Sequence, residues 1–155
     1  MAPSMLITIA FFAVTSVISL QSVIGALTCE ELPVEACAFS VSSSGARCVL
    51  EKSILRDGTA QYECMTSEVM AEKMYEWIET EECINNCGLE KMAIGMSTDG
   101  LMESSFTTRL CSPHCYDNCP NIVNLYFDLA AGEGLYLPRL CEAQRSGSRR
   151  MISEV

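Results

Sequence analysis

The chain contains one histidine and one tryptophan, no C-x-x-C spacing, no G-x-S-x-G turn and no N-x-Ser/Thr sequon. Each absence removes a class of function. Without C-x-x-C, a thioredoxin-type redox site, a zinc ribbon and covalent haem attachment lose their signature. With His114 as the sole imidazole and no nucleophile elbow, Ser-His-Asp or Cys-His hydrolysis is disfavoured. There is also no Gly-rich phosphate loop and no Ca²⁺-loop pattern. Positive charge is scarce: 10 Lys and Arg against 20 Asp and Glu leave a net charge of −10, which nucleic-acid phosphates and anionic membranes would repel. Long apolar runs are confined to the N-terminus, and the polar C-terminal end carries no lipid-anchor signal.

What is present is cysteine. All ten follow residues 1–26: Cys29, Cys37, Cys48, Cys64, Cys83, Cys87, Cys111, Cys115, Cys119 and Cys141. An apolar stretch from Leu6 to Leu20, closed by small residues, reads as a signal peptide cut after Gly25 or Ala26, although no Lys or Arg precedes it. The rival reading, an uncleaved anchor, is weaker because the apolar run is shorter than a typical span. An even, dense cysteine set behind such a leader implies five disulfides formed in an oxidising compartment. The expected organisation is a signal peptide at 1–26, one disulfide-stapled domain at 27–144 and a disordered tail at 145–155. The expected location is extracellular, with no stable membrane association after cleavage.

Spacing gives a partial pairing rule. C-x₃-C recurs at Cys83/Cys87, Cys111/Cys115 and Cys115/Cys119, and residues four apart share a helix face. Facing helices could be bridged like rungs, with Cys83 and Cys87 bonding into the Cys111–Cys119 cluster and Cys141 taking the member left over. The first four cysteines would then pair among themselves. Paired C-x₃-C also marks small mitochondrial intermembrane-space proteins, but those lack a secretory leader.

The fold class expected is α+β: a small disulfide-rich domain with an N-terminal three-stranded antiparallel meander packed by several short C-terminal helices. Ala38–Ser42 alternates, Ser43-Ser44-Gly45 turns, Cys48–Glu51 resumes, Arg56-Asp57-Gly58-Thr59 is a hairpin turn, and Gln61–Cys64 returns. From Thr66 the period becomes helical, with Met70, Met74, Trp77 and Ile78 on one side and Glu68, Glu72, Glu76 and Glu79 opposite. Trp77 is then a core residue over the sheet, the methionines are core filler, and the Glu face is solvated surface. Further helices are expected from a Thr80 cap to Gly88, around Leu101–Leu110, after Ser112-Pro113, and from Pro120 to Gly132. Residues 92–99 and 133–140 read as loops. His114 could ligate a metal only if the neighbouring thiols were free, so no metal and no cofactor are expected.

Taken together, several stretches resemble the photoassimilate-responsive protein family of plants. They are Cys37-Ala-Phe-Ser-Val-Ser-Ser-Ser-Gly45, Arg47-Cys-Val-Leu-Glu-Lys52, Trp77-Ile-Glu-Thr-Glu-Glu-Cys83, Leu110-Cys-Ser-Pro-His-Cys115, Asn118-Cys-Pro-Asn-Ile-Val123, Leu125-Tyr-Phe127, Leu129-Ala-Ala-Gly-Glu-Gly134 and Leu137-Pro-Arg-Leu-Cys-Glu142. The resemblance covers about Cys29 to Gln144. It implies a secreted plant protein of the apoplast, with the vacuole as the other destination, connected with sugar accumulation or stress, and it carries over the ten-cysteine framework but no catalytic residue. The expected function is non-enzymatic recognition of a protein or other extracellular component in defence or stress response. Two alternatives stand beside it: a carrier of a small hydrophobic ligand between apolar helical faces, and a secreted hydrolase using paired carboxylates. With 20 acidic side chains some carboxylate pair is always at hand, so the last carries little weight.

Overall fold

The computed structural model describes the backbone of residues 25–153 and side chains as far as Gly147. The proposed leader up to residue 24 lies outside the described residues. Two short 3₁₀ turns, Cys29–Glu31 and Val34–Ala36, lead into one antiparallel hairpin, β1 (Ala46–Ile54) and β2 (Ala60–Met70). Helices follow: α1 (Glu81–Cys87), α2 (Ser104–Leu110) after a 3₁₀ turn at Asp99–Met102, α3 (Pro113–Tyr116), α4 (Pro120–Gly132) and α5 (Leu137–Ser153). Among the described residues no helix is long and apolar enough to cross a membrane.

The sheet has two strands rather than the three expected. Phe39 is the reason. Its φ of 67° lies in the left-handed region, outside the strand region, so Cys37–Phe39 turns and only the short stretch from Ser40 to Ser42 is left to pair. Val41 makes isolated bridges to Arg47 and Trp77, too short a pairing for a third strand.

The expected helix from Thr66 is likewise absent. The hairpin register carries β2 onward, pairing Cys48 with Thr66 and, beyond an irregularity, Ala46 with Met70. Backbone pairing with a neighbour already in place outweighs a periodic pattern rich in poor helix formers such as Thr66, Ser67 and Val69. Residues 71–79 form turns instead, with Lys73 and Glu76 at φ 62° and 52°. Hence the four glutamates share no helix face. Trp77 is half-buried rather than central, and Met65 and Met70 are exposed.

Caps fix the helix starts. Thr80 Oγ1 accepts from the Cys83 N–H, and Ser112 accepts from the Cys115 N–H with Pro113 in the first turn. One expected loop shortens, and most of the expected tail is helical. Leu137 is buried and opens α5, so the loop after α4 ends at Tyr136. Residues 145–153, expected as a tail, continue α5. Burial of Leu137 and the bond at Cys141 supply its nucleus, and each further residue then adds a backbone hydrogen bond. The exposed residues 145–147 show no apolar stripe because they face solvent.

Two sulfur-rich cores result. Cys29, Cys37, Cys48, Cys64 and Leu50 pack beneath the hairpin. Leu101, Phe106, Leu110, Ile122, Tyr126 and Leu137 pack with five cysteines among the helices. Between them Ala38 and Phe39 meet Ile84 and Leu125. A buried polar joint completes the contact. The Arg47 guanidinium, 1% exposed, donates to Asn121 Oδ1 (2.9 Å) and Asn124 Oδ1 (2.7 Å). The Asn121 amide donates in turn to the Phe39 carbonyl (2.6 Å) and Glu79 Oε2 (2.8 Å).

Candidate functional site

The ten cysteines form five disulfides: Cys29–Cys48, Cys37–Cys64, Cys83–Cys119, Cys87–Cys115 and Cys111–Cys141. The C-x₃-C pair of α1 meets the pair formed by Cys115 and Cys119 in antiparallel order. No cysteine among the described residues is free. His114 is exposed on α3, and both flanking thiols are spent in bonds, so no thiolate stands beside it. The cysteines are the frame of the molecule, not its reactive groups.

That frame holds a cleft of about 680 Å³, within the size range of small-molecule sites. Helix α4 supplies its floor. Leu125, Tyr126 and Leu129 recur at helical spacing, and Phe39 completes the floor from the turn before β1. Helix α2 supplies a wall through Phe106 and Arg109, and residues 88–100 supply the opposite rim, including Leu89, Ala93 and Met96. Phe106 and Tyr126 pack with ring centroids 4.9 Å apart at a tilted angle.

Two glycines set the wall. Gly88 caps α1 at φ 73°, and a Cβ there would lie 2.4 Å from Arg109 Cδ. A Cβ on Gly100 would lie 2.9 Å from the Phe106 ring. Only glycine lets the rim approach α2 this closely.

Charge sits around the mouth. Glu90, Asp99 and Glu103 line the cleft together with Arg109, and all four are exposed. Deeper in, burial pushes the Tyr126 hydroxyl up to about 12. Asp128 of the same helix lies outside the cleft; burial raises its carboxyl, while nearby Arg47 opposes that rise and Glu72 adds to it.

None of the cleft residues was legible from sequence as a site. Leu125, Tyr126 and Leu129 read as an apolar stripe, and Phe39 as a strand residue. The signal that could have drawn attention to the wall was Gly88, whose helix-ending role was readable, next to an unpatterned stretch.

A family model for PAR1 protein matches residues 27–155, all of the chain beyond the proposed leader. The chain belongs to the photoassimilate-responsive (PAR1) protein family. No curated protein and no solved structure matches it. The PAR1 match spans both sulfur-rich cores and every residue of the cleft.

Proposed function

We propose that this PAR1 protein acts by recognition rather than catalysis, as a secreted plant domain that takes a small, largely apolar molecule into the cleft between α2, α4 and residues 88–100. The observation that carries this reading is the cleft's composition. Phe39, Phe106, Leu125 and Leu129 line it beside only a few charged side chains, which is the make-up of a binding pocket. The apolar leader and the fivefold cross-linking support secretion and persistence outside the cell. Stress- or sugar-linked accumulation fits the family, with the captured molecule as the point of action.

Native mass spectrometry and solvent extraction of the oxidised protein, recovered from plant extracellular fluid, test the reading. A small molecule should accompany the parent protein and be missing from Ala93→Trp, which fills the cleft. Protein that comes away empty under native conditions overturns it.

A second reading has its own observation. Every residue from 51 to 63, on both strands and the turn, is exposed, so the hairpin projects as an arm with neither face covered. A two-stranded ribbon is marginal alone, and such an arm suits contact with an extracellular polypeptide.

A further inference from the structure

We propose that the cleft selects small amphipathic cations, molecules with an apolar or aromatic body and a positively charged group such as an amine at one end. This rests on the binding reading above and names the class of ligand. The rim carries three carboxylates, Glu90, Asp99 and Glu103, against one guanidinium, Arg109. None of the four has an ion-pair partner among the described residues, where the one such pair is Lys91–Glu81, outside the cleft. The whole chain adds to that field with its net charge of −10.

The interior agrees with the rim. Phe39, Phe106 and Tyr126 bring three aromatic rings to one cleft, and ring faces attract cations as well as apolar groups. Phe39 is held there in a costly backbone conformation, φ 67°, with its carbonyl bound by the buried Asn121 amide. An anionic ligand would meet Arg109 alone and three repelling carboxylates. A neutral one would gain burial but nothing from the rim.

One fluorophore with three head groups separates these cases. The oxidised full-length protein is titrated with dansylcadaverine (cationic), dansylamide (neutral) and dansylglycine (anionic). The cation should bind roughly tenfold more tightly than the anion, a difference that shrinks as salt is raised. Changing Glu90→Gln, Asp99→Asn and Glu103→Gln together should abolish or reverse the preference for dansylcadaverine over dansylglycine, because Arg109 is then the one charged side chain left on the rim. These side chains are exposed, and the three-probe comparison on the unaltered chain stands without the variant. Equal affinity for all three probes, or tightest binding of dansylglycine, overturns the cation proposal and leaves the cleft as a binding site. Failure of every probe to bind overturns the binding reading with it.

Discussion

Arg47 shows what a single buried residue does here. Its guanidinium reaches across from β1 to two asparagines of α4, and through Asn121 it touches the Glu79 carboxylate and the Phe39 backbone. Its Nε has no partner among the described residues. Burial lowers the Arg47 pKa, and the charges of Asp128 and Glu79 oppose that shift. Truncation to alanine leaves the Asn121 and Asn124 side-chain oxygens without their donor beside a void, at about 1–3 kcal/mol for each acceptor, so Arg47→Ala should cost about 2–4 kcal/mol in denaturant unfolding. Asp128 reports the same loss independently. With Arg47 gone, the group that holds its carboxyl down is removed, and its NMR-detected ionisation should move to higher pH. Tyr126 gives a prediction at the other end of the scale. An unfolded tyrosine ionises near pH 10, whereas burial in the folded protein pushes Tyr126 up to about 12. The unfolded chain therefore loses its proton first. Stabilisation is complete below about pH 10 and is lost as pH rises through about 12, on the order of 2–3 kcal/mol. Absorbance at the phenolate band should show a late-ionising component that Tyr126→Phe removes, and that variant should unfold less steeply with alkali.

At the level of elements, local chemistry decides helices better than it decides strands. Thr80 and Ser112 were readable as caps because capping needs one hydroxyl at one offset, and the structure uses both. Thr80→Ala and Ser112→Ala should each lower stability by about 1 kcal/mol in thermal or denaturant unfolding, with no change in disulfide content. Residues 66–79 went the other way. Their apolar period fits a helix, yet Thr66, Ser67 and Val69 lie where the hairpin register has already placed a partner strand. That partner is a tertiary fact which no window of the sequence contains. Phe39 failed for a related reason: alternation suggested a strand, while the Asn121 amide, 82 residues away, binds the carbonyl of a turn. The cleft inherits this illegibility. Its floor residues were visible as an apolar stripe on α4, but a stripe is the same signal whether a neighbouring element covers it or leaves it open. Gly100 decides the approach of rim to wall, and its need for that position appears only when Phe106 is set beside it.

Across the whole molecule, the covalent map divides where the contacts do not. The first two disulfides close within residues 29–64 and the other three within residues 83–141, so no bond crosses the segment between Cys64 and Cys83. By chain entropy each loop contributes about 3–4 kcal/mol to the half that contains it, and nothing to the joint. The joint is held by the Arg47 network, by Ala38 and Phe39 against Ile84 and Leu125, and by backbone bonds between Val41 and Trp77 and between Leu50 and Gly95. Lys73 is the only lysine or arginine between Cys64 and Cys83, and it is exposed. Tryptic cleavage after Lys73 should therefore release two fragments on a denaturing gel without reductant. Cleavage after Arg56 should leave the pieces linked through Cys37–Cys64 until thiol is added, and cleavage after Lys91 should leave them linked through Cys83–Cys119 and Cys87–Cys115. Under native conditions the Lys73-nicked halves should stay associated through the buried joint. In the Arg47→Ala background they should dissociate more readily on gel filtration, because that side chain supplies the buried side-chain part of a contact otherwise made by Asn121 on the Phe39 carbonyl and by the backbone bonds between Val41 and Trp77 and between Leu50 and Gly95. A nicked protein that stays intact on the denaturing gel without reductant would mean that a disulfide crosses between the halves. Unchanged association in Arg47→Ala would place the joint in the apolar cluster and those backbone bonds of Val41 with Trp77 and Leu50 with Gly95.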